Sequence, residues 1–185
     1  VDISAAKSQH RHSSSNKLWL NAVHFGERVV LKTTTKPAMQ LTYILEAIIH
    51  WMVSQRCPVD VPHLHFIGFA TGNRLVVCSQ QLHIPSVAGF VNTLRHPNPD
   101  IMVWRMVRAV CVSLRRLQTS GRFTHRDCHI NNIYYDKRTS NVQFIDFDWS
   151  CLRWHRRIVS VPRHLYDTTR EDYGYNRSVD CCVFF

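Results

Sequence analysis

The seven cysteines of this chain include no C-x-x-C pair; they are odd in number and scattered from Cys57 to Cys181-Cys182. That spacing supports neither a zinc site nor a disulfide framework. Reduced thiols are the default it leaves, and a cytoplasmic or nuclear location is the expectation. Long apolar runs are missing as well. The longest, Tyr43 to Val53, is too short to cross a bilayer and is interrupted by Glu46 and His50, so no membrane partner is expected. The polar stretch from Val1 to Lys17 has no apolar signal core. Acidic residues are few, 13 against 23 Lys and Arg, giving a formal net charge of +10. Such a balance can mark a nucleic-acid binder, but no aromatic-interleaved basic repeat or zinc-finger spacing accompanies it, so nucleic acid is not the expected partner.

What is present describes an ordinary globular protein. At 185 residues, with 45% hydrophobic and 19% charged residues, the chain has enough material for one domain or two small lobes sharing a cleft. A weak strand-like piece surrounds Ile3. Lys17 to Val23 and Arg28 to Thr33 read as β segments around a Phe25-Gly26-Glu27 turn. Pro37 fits the first turn of a helix running to about Gln55, and apolar residues at 41, 44, 45, 48 and 52 mark its packed face. Glu46 lies off that stripe beside His50, which leaves a solvated and an ion-paired glutamate both open. Leu64 to Ala70 and Arg74 to Ser79, joined through Thr71-Gly72-Asn73, form a second hairpin. Val87 to Leu94 is a short helix. The Pro97-Asn98-Pro99-Asp100 cluster is a loop ending in an N-cap. Ile101 to Thr119 is then a long amphipathic helix, with Val103, Val107, Val110, Leu114 and Leu117 near one face, stopped by Gly121.

After that helix comes the stretch that carries chemistry. Thr124-His125-Arg126-Asp127 is followed by Asn132, five positions after Asp127, and by Phe144-Ile145-Asp146-Phe147-Asp148, with Asp146 fourteen positions after Asn132. A lone His-x-Asp arises easily by chance in a chain with twelve histidines. The ordered set is far more specific, and it resembles the catalytic machinery of the protein kinases, from Lys17 to the C-terminus. The alternative, Asp127 and Asn132 merely capping a turn, has no use for the companion residues.

The resemblance implies an α+β, bilobal protein-kinase-like fold. A small antiparallel β lobe would span residues 1–78 and a truncated helical lobe residues 79–185. Asp127 would be the catalytic base or hydroxyl orienter, and Asn132 and Asp146 the magnesium ligands. Lys32, closing the apolar run Val29-Val30-Leu31, would pair the ATP phosphates and be held by Glu46. Ser79, Gln80 and Gln81 would cross between the lobes, their backbone groups meeting adenine. The reaction implied is ATP- and Mg-dependent phosphoryl transfer to a protein hydroxyl, Ser or Thr, with a basic cleft for the anionic nucleotide.

Several positions depart from the pattern. Arg11, Ser13 and Asn16 stand where the phosphate loop has its three glycines, so the loop should hold ATP less closely. Asp148 replaces the Gly of Asp-Phe-Gly and is expected as a solvated turn residue more than as a third metal oxygen. His129 occupies a Lys position and resembles the His of aminoglycoside phosphotransferases, which keeps small-molecule kinases open. A pseudokinase acting as a nucleotide- or partner-binding module is the other alternative. Downstream, 160–168 resembles the segment before the family's Ala-Pro-Glu, with Thr168 in the Glu position. Gly174 to Asp180 resembles the opening of the helix whose Asp anchors the catalytic turn, Asp180 lying 34 positions after Asp146. Arg153, His155, Arg156 and Arg157, with Arg126 beneath, form a basic patch that anticipates an acidic protein substrate. The chain starts without Met and ends on Phe184-Phe185, so a fragment is expected, with missing sequence, a second copy or a partner covering that end.

Overall fold

The computed structural model describes residues 7–10, 16–94 and 99–161. Among them the fold is mixed α+β with three helices and antiparallel strand pairing throughout. Strands β1 (Lys7–His10), β2 (Asn16–His24), β3 (Glu27–Thr34), β4 (Leu64–Ala70) and β5 (Arg74–Gln80) form one sheet in the order β1-β2-β3-β5-β4. Both expected hairpins are present. In the β2–β3 turn Phe25 and Gly26 have φ of 47° and 81°; two consecutive positive values make the primed type of turn that matches the right-handed twist of its strands. The boundary expected at Cys78 falls inside β5, which continues to Gln80. The piece around Ile3 lies outside the described residues, as do Arg11 and Ser13, whereas Asn16 opens β2.

Helix α1 (Pro37–Ser54) has the expected bounds, but its buried face matches the expected stripe only at Met52 and, partly, Leu45. Thr42, Glu46, Ile49, His50 and Val53 are buried, while Leu41 and Ile48 from the anticipated stripe are 51% and 41% exposed. The helix is apolar on nearly every side, so periodicity could not choose its inner face; the polar pair Glu46 and His50 turns inward instead. Helix α2 (Val87–Asn92) is capped by Ser86, whose Oγ accepts from Gly89 N–H at 3.2 Å. Helix α3 (Pro99–Thr119) begins at Pro99, two residues early, so that Asp100 sits in the first turn rather than at the cap. Pro is well placed there because its missing N–H would have had no helical partner. The helix ends where Gly121 passes the last turn so closely that a Cβ would lie 2.5 Å from Leu117 O. Met106, Val110, Leu114 and Leu117 bury its inner face in a single large core with Ile49, Met52 and Val53 of α1, Phe123, Phe144 and Phe147.

The remaining strands are short: β6 (Phe123–Thr124), β7 (Ile133–Asp136), β8 (Asn141–Phe144), β9 (Cys151–Trp154) and β10 (Arg157–Ser160). β7 pairs with β8, and β10-β9-β6 form a small sheet. The basic segment after Asp148 is therefore a hairpin rather than a loop. Its register runs Thr124↔Cys151 and Phe123↔Leu152, and Arg153 N–H donates to Arg122 O at 2.9 Å. β9 thus leads away from the Thr124 end of β6, and the tip carrying Arg153, His155, Arg156 and Arg157 lies about 10 Å back along the strand from Thr124, on the side away from Asp127. Arg126, expected beneath that patch, is instead buried, 4% exposed. The tail matches after Val161, including Thr168, Asp180 and the terminal Phe184-Phe185, lie outside the described residues. No described helix is long and apolar enough to cross a membrane.

Candidate active site

Lys32 lies on β3 opposite Leu18 of β2 and Val77 of β5. Strand alternation sends Val29, Leu31 and Thr33 into the buried layers, and turns Val30 and Lys32 toward a cleft of about 370 Å³. The cleft is lined from the sheet by Leu18, Leu20 and Val77, and from the other side by Tyr134, Ile145, Asp146 and Phe147. A larger depression of about 460 Å³, lined among others by His83, Asp136, Lys137 and Arg138, contains none of Lys32, Glu46, Asp127, Asn132 and Asp146.

Inside the cleft Lys32 Nζ meets Glu46 Oε1 and Asp146 Oδ1, each at 2.6 Å. The expected partner Glu46 is therefore brought to the lysine and its solvated alternative set aside, while Asp146, expected only as a metal ligand, joins the pair. Burial alone would lower the Lys32 pKa; Asp146, Glu46 and Asp148 overcome it and hold the ammonium well above its usual value. Burial pushes Glu46 up from the usual carboxylate range, with Lys32 opposing. One helical turn on, His50 donates from Nε2 to Pro62 O at 2.6 Å and packs on Phe147, ring centroids 4.8 Å apart. Burial drives its pKa down to about 4, so the imidazole is neutral.

Asp127 and Asn132 pair with each other at the edge of this cleft. Asn132 Nδ2 donates to both Asp127 O and Asp127 Oδ2, at 3.1 Å each, which fixes the carboxylate and turns the amide so that its oxygen is the remaining polar atom. The Asn132 carbonyl accepts from Ile145 N–H at 3.0 Å, and His125 Nε2 donates to Ile145 O at 2.8 Å. Two bonds thus pin the residue before Asp146 to the loop that carries Asp127. Arg126 and Asp146 have φ of 66° and 68°, the left-handed region that non-glycine residues enter at a cost, and such strain gathers at functional sites. His129 Nδ1 accepts from Asn131 N–H at 3.2 Å, so the ring proton sits on Nε2, which faces Asp127 Oδ2 at 3.6 Å.

Asp148 corrects the expectation of a solvated turn residue. Its Oδ1 is buried with no hydrogen-bond partner, and burial together with neighbouring Asp146 raises its pKa to about 7. Lys32 and Asp127 are also within its electrostatic reach. The donors here, carboxylates of Asp146 and Asp148 and the amide oxygen of Asn132, suit a hard divalent cation, and an orphaned carboxylate oxygen is what such a cation would satisfy. No group of three or more His, Cys, Asp or Glu among the described residues forms a cage by itself.

Ser79, Gln80 and Gln81 line the cleft, and of the backbone groups expected to meet adenine the N–H groups of Gln80 and Gln81 are engaged within the fold. Gln80 N–H donates to His63 O at 2.8 Å and Gln81 N–H to Arg28 O at 3.0 Å, so both amides are taken by the fold. The Gln81 side chain is committed too: its Oε1 accepts from Asn21 N–H at 2.6 Å, and its Nε2 donates to Asn21 Oδ1 at 2.8 Å. Sequence reasoning missed Leu82, which lines the cleft next to them, and His50, which its spacing four residues after Glu46 could have revealed. No protein-family model matches the chain, and no curated protein matches its sequence.

Proposed function

We propose that the chain is a phosphotransferase on a two-lobed, protein-kinase-like plan, moving the γ-phosphoryl group of ATP to a protein Ser or Thr hydroxyl. β1 to β5 with α1 make the smaller lobe and the elements from α2 onward the larger. The observation that carries this reading is Lys32 held between Glu46 and Asp146 at 2.6 Å each. Three ionisable groups from three separate segments meet with their side chains largely withdrawn from water, at a desolvation cost that well-packed apolar residues would have avoided. Their burial makes sense as a preorganised electrostatic site.

In this reading Lys32 binds phosphate oxygens, and Glu46 keeps its ammonium aimed into the cleft. Asp127, steadied by Asn132, accepts the proton of the incoming hydroxyl or orients it for attack. His129, its proton fixed on Nε2 beside Asp127, hydrogen-bonds the acceptor or a phosphate oxygen. Asn132, Asp146 and Asp148 hold the cation. Magnesium, when bound, neutralises charge on the transferring phosphates. Neutral His50 and Phe147 pack beneath Asp146 and keep water from its base.

A second reading, a pseudokinase that binds nucleotide or a partner without transfer, draws on the Gln80 and Gln81 amides being taken and on the missing glycines at 11, 13 and 16. Radiolabel transfer from ATP with Mg²⁺, offered protein and small-alcohol acceptors, separates the two. Label on a protein acceptor supports the enzyme, label only on small alcohols moves the substrate class, and nucleotide binding without transfer leaves the pseudokinase.

A further inference from the structure

We infer that the outer face of α1 and the β9–β10 hairpin form one docking surface for an acidic, amphipathic protein segment, remote from the cleft. The inward turn of Glu46 and His50 leaves an apolar stripe facing out. Leu41, Ile48 and Trp51 are 51%, 41% and 54% exposed, and at seven- and three-residue spacing they lie along one side of the helix. A stripe of this kind on a helix already buried along its opposite face needs a cover.

The stripe ends in positive charge. Two residues beyond α1, Arg56 sets its guanidinium carbon 4.5 Å from the centre of the Trp154 ring and donates from Nη1 to Gly121 O at 3.1 Å. That contact fastens the end of α1 to the tip of the hairpin, where Arg153, Arg156 and Arg157 are exposed and Ile158 is 52% exposed. Among the described residues of the neighbouring stretches no exposed carboxylate offsets them. Across residues 49–60, 111–124 and 149–161 the one acidic residue is Asp60, which is fully buried and bridged by Arg116 at 2.5 Å.

Charge complementarity therefore selects the occupant. Every basic residue in these stretches other than histidine is Arg, whose planar fork pairs carboxylates two at a time. Polyphosphate could meet the arginines, but it would leave the aliphatic part of the stripe, Leu41 and Ile48, uncovered. A segment with Leu or Phe on one face and Glu or Asp toward one end satisfies both halves. Arg and Trp are also the residues that dominate protein–protein contacts. Nothing in this surface depends on phosphoryl transfer.

The test is fluorescence polarisation on the full chain with three probes: a labelled peptide alternating Glu and Asp with Leu and Phe, the same peptide with Lys for the acids, and a labelled single-stranded oligonucleotide. The acidic peptide should bind, the Lys peptide should not, and binding should weaken at least about tenfold in R153A/R156A/R157A and, separately, in I48S/W51S, as losses of charged and apolar anchors do. These side chains are exposed, and unchanged thermal unfolding of each variant confirms that the fold persists. Unchanged affinity in both variants overturns the proposal. So does binding of the oligonucleotide in place of the acidic peptide. Peptide binding that appears only after Asp167, Glu171 and Asp172 are changed to Asn would assign the surface to the chain's own acidic segment and overturn it equally.

Discussion

Lys32 and Asp146 are separated by 114 positions in the chain and by 2.6 Å in the fold. Their contact closes the sheet over the turn after β8, and Glu46 completes a row in which one ammonium serves two carboxylates. Asp148 adds a third carboxylate that the lysine only partly offsets. The cleft is thus short of positive charge at the point where a cation would bind, and the following expectations rest on that imbalance.

Replacing Lys32 by Met should leave Glu46 and Asp146 facing each other without a counter-charge. Breaking a buried pair from one side costs about 3–5 kcal/mol, so urea unfolding should show a loss of that order. Glu46→Gln, which keeps a hydrogen-bond acceptor for Lys32, should cost less. A loss below about 1 kcal/mol for Lys32→Met would mean that the row is solvated and not part of a preorganised site.

Mg²⁺ or Mn²⁺ should raise the unfolding temperature of the parent, since a ligand that binds only the native state stabilises it. Asp148→Gly should weaken the cation affinity, read by calorimetry without nucleotide, by at least about tenfold, because it removes one of two carboxylate ligands. Equal affinity in parent and variant would place the cation elsewhere.

Two buried groups should give opposite pH dependence. His50 has its pKa lowered from 6.5 to about 4, so the unfolded chain takes up a proton that the native state refuses. Its stabilising effect is present above pH 6.5 and is lost as pH falls toward 4, by about 3 kcal/mol. Asp148 is raised from 3.8 to about 7, so its contribution is present below about pH 4 and is lost as pH rises through 7. Asp148→Asn should therefore expose a steeper loss on acidification, and His50→Gln a shallower one. Identical profiles for the two variants between pH 4 and 7 would show that neither group is buried in solution.

Much of this was legible in the sequence where local chemistry decides the outcome. The hairpin turn at Phe25-Gly26 and the Gly72-Asn73 turn, with φ of 71° and 55°, announced themselves by residue type. So did the ordered series Asp127, Asn132, Asp146, whose spacing carries the resemblance. The inner face of α1 was not legible, because the helix is apolar on nearly all sides and only tertiary contact with β3 and Asp146 selects Glu46 and His50. Asp148 looked solvated for a similar reason: a carboxylate after a turn usually is, and its burial comes from packing that no local pattern encodes. The β9–β10 hairpin was hidden because its tip, Arg153 to Arg157, has the composition of a loop; pairing of β9 with the two-residue β6 organises it. The Gln80 and Gln81 amides were unavailable because β5 runs on past Cys78 and the chain stays paired with its neighbours.

The role of Asp127 is the centre of the account, and label transfer from ATP by parent and Asp127→Asn protein tests it most directly. Asn keeps the shape and the contact with Asn132 but cannot take a proton. Transfer should fall at least about 10²-fold while nucleotide affinity, measured in the same samples, changes little, the pattern of a group that acts in the transition state. Equal transfer by the two proteins, or none by the parent with any acceptor, would contradict the account.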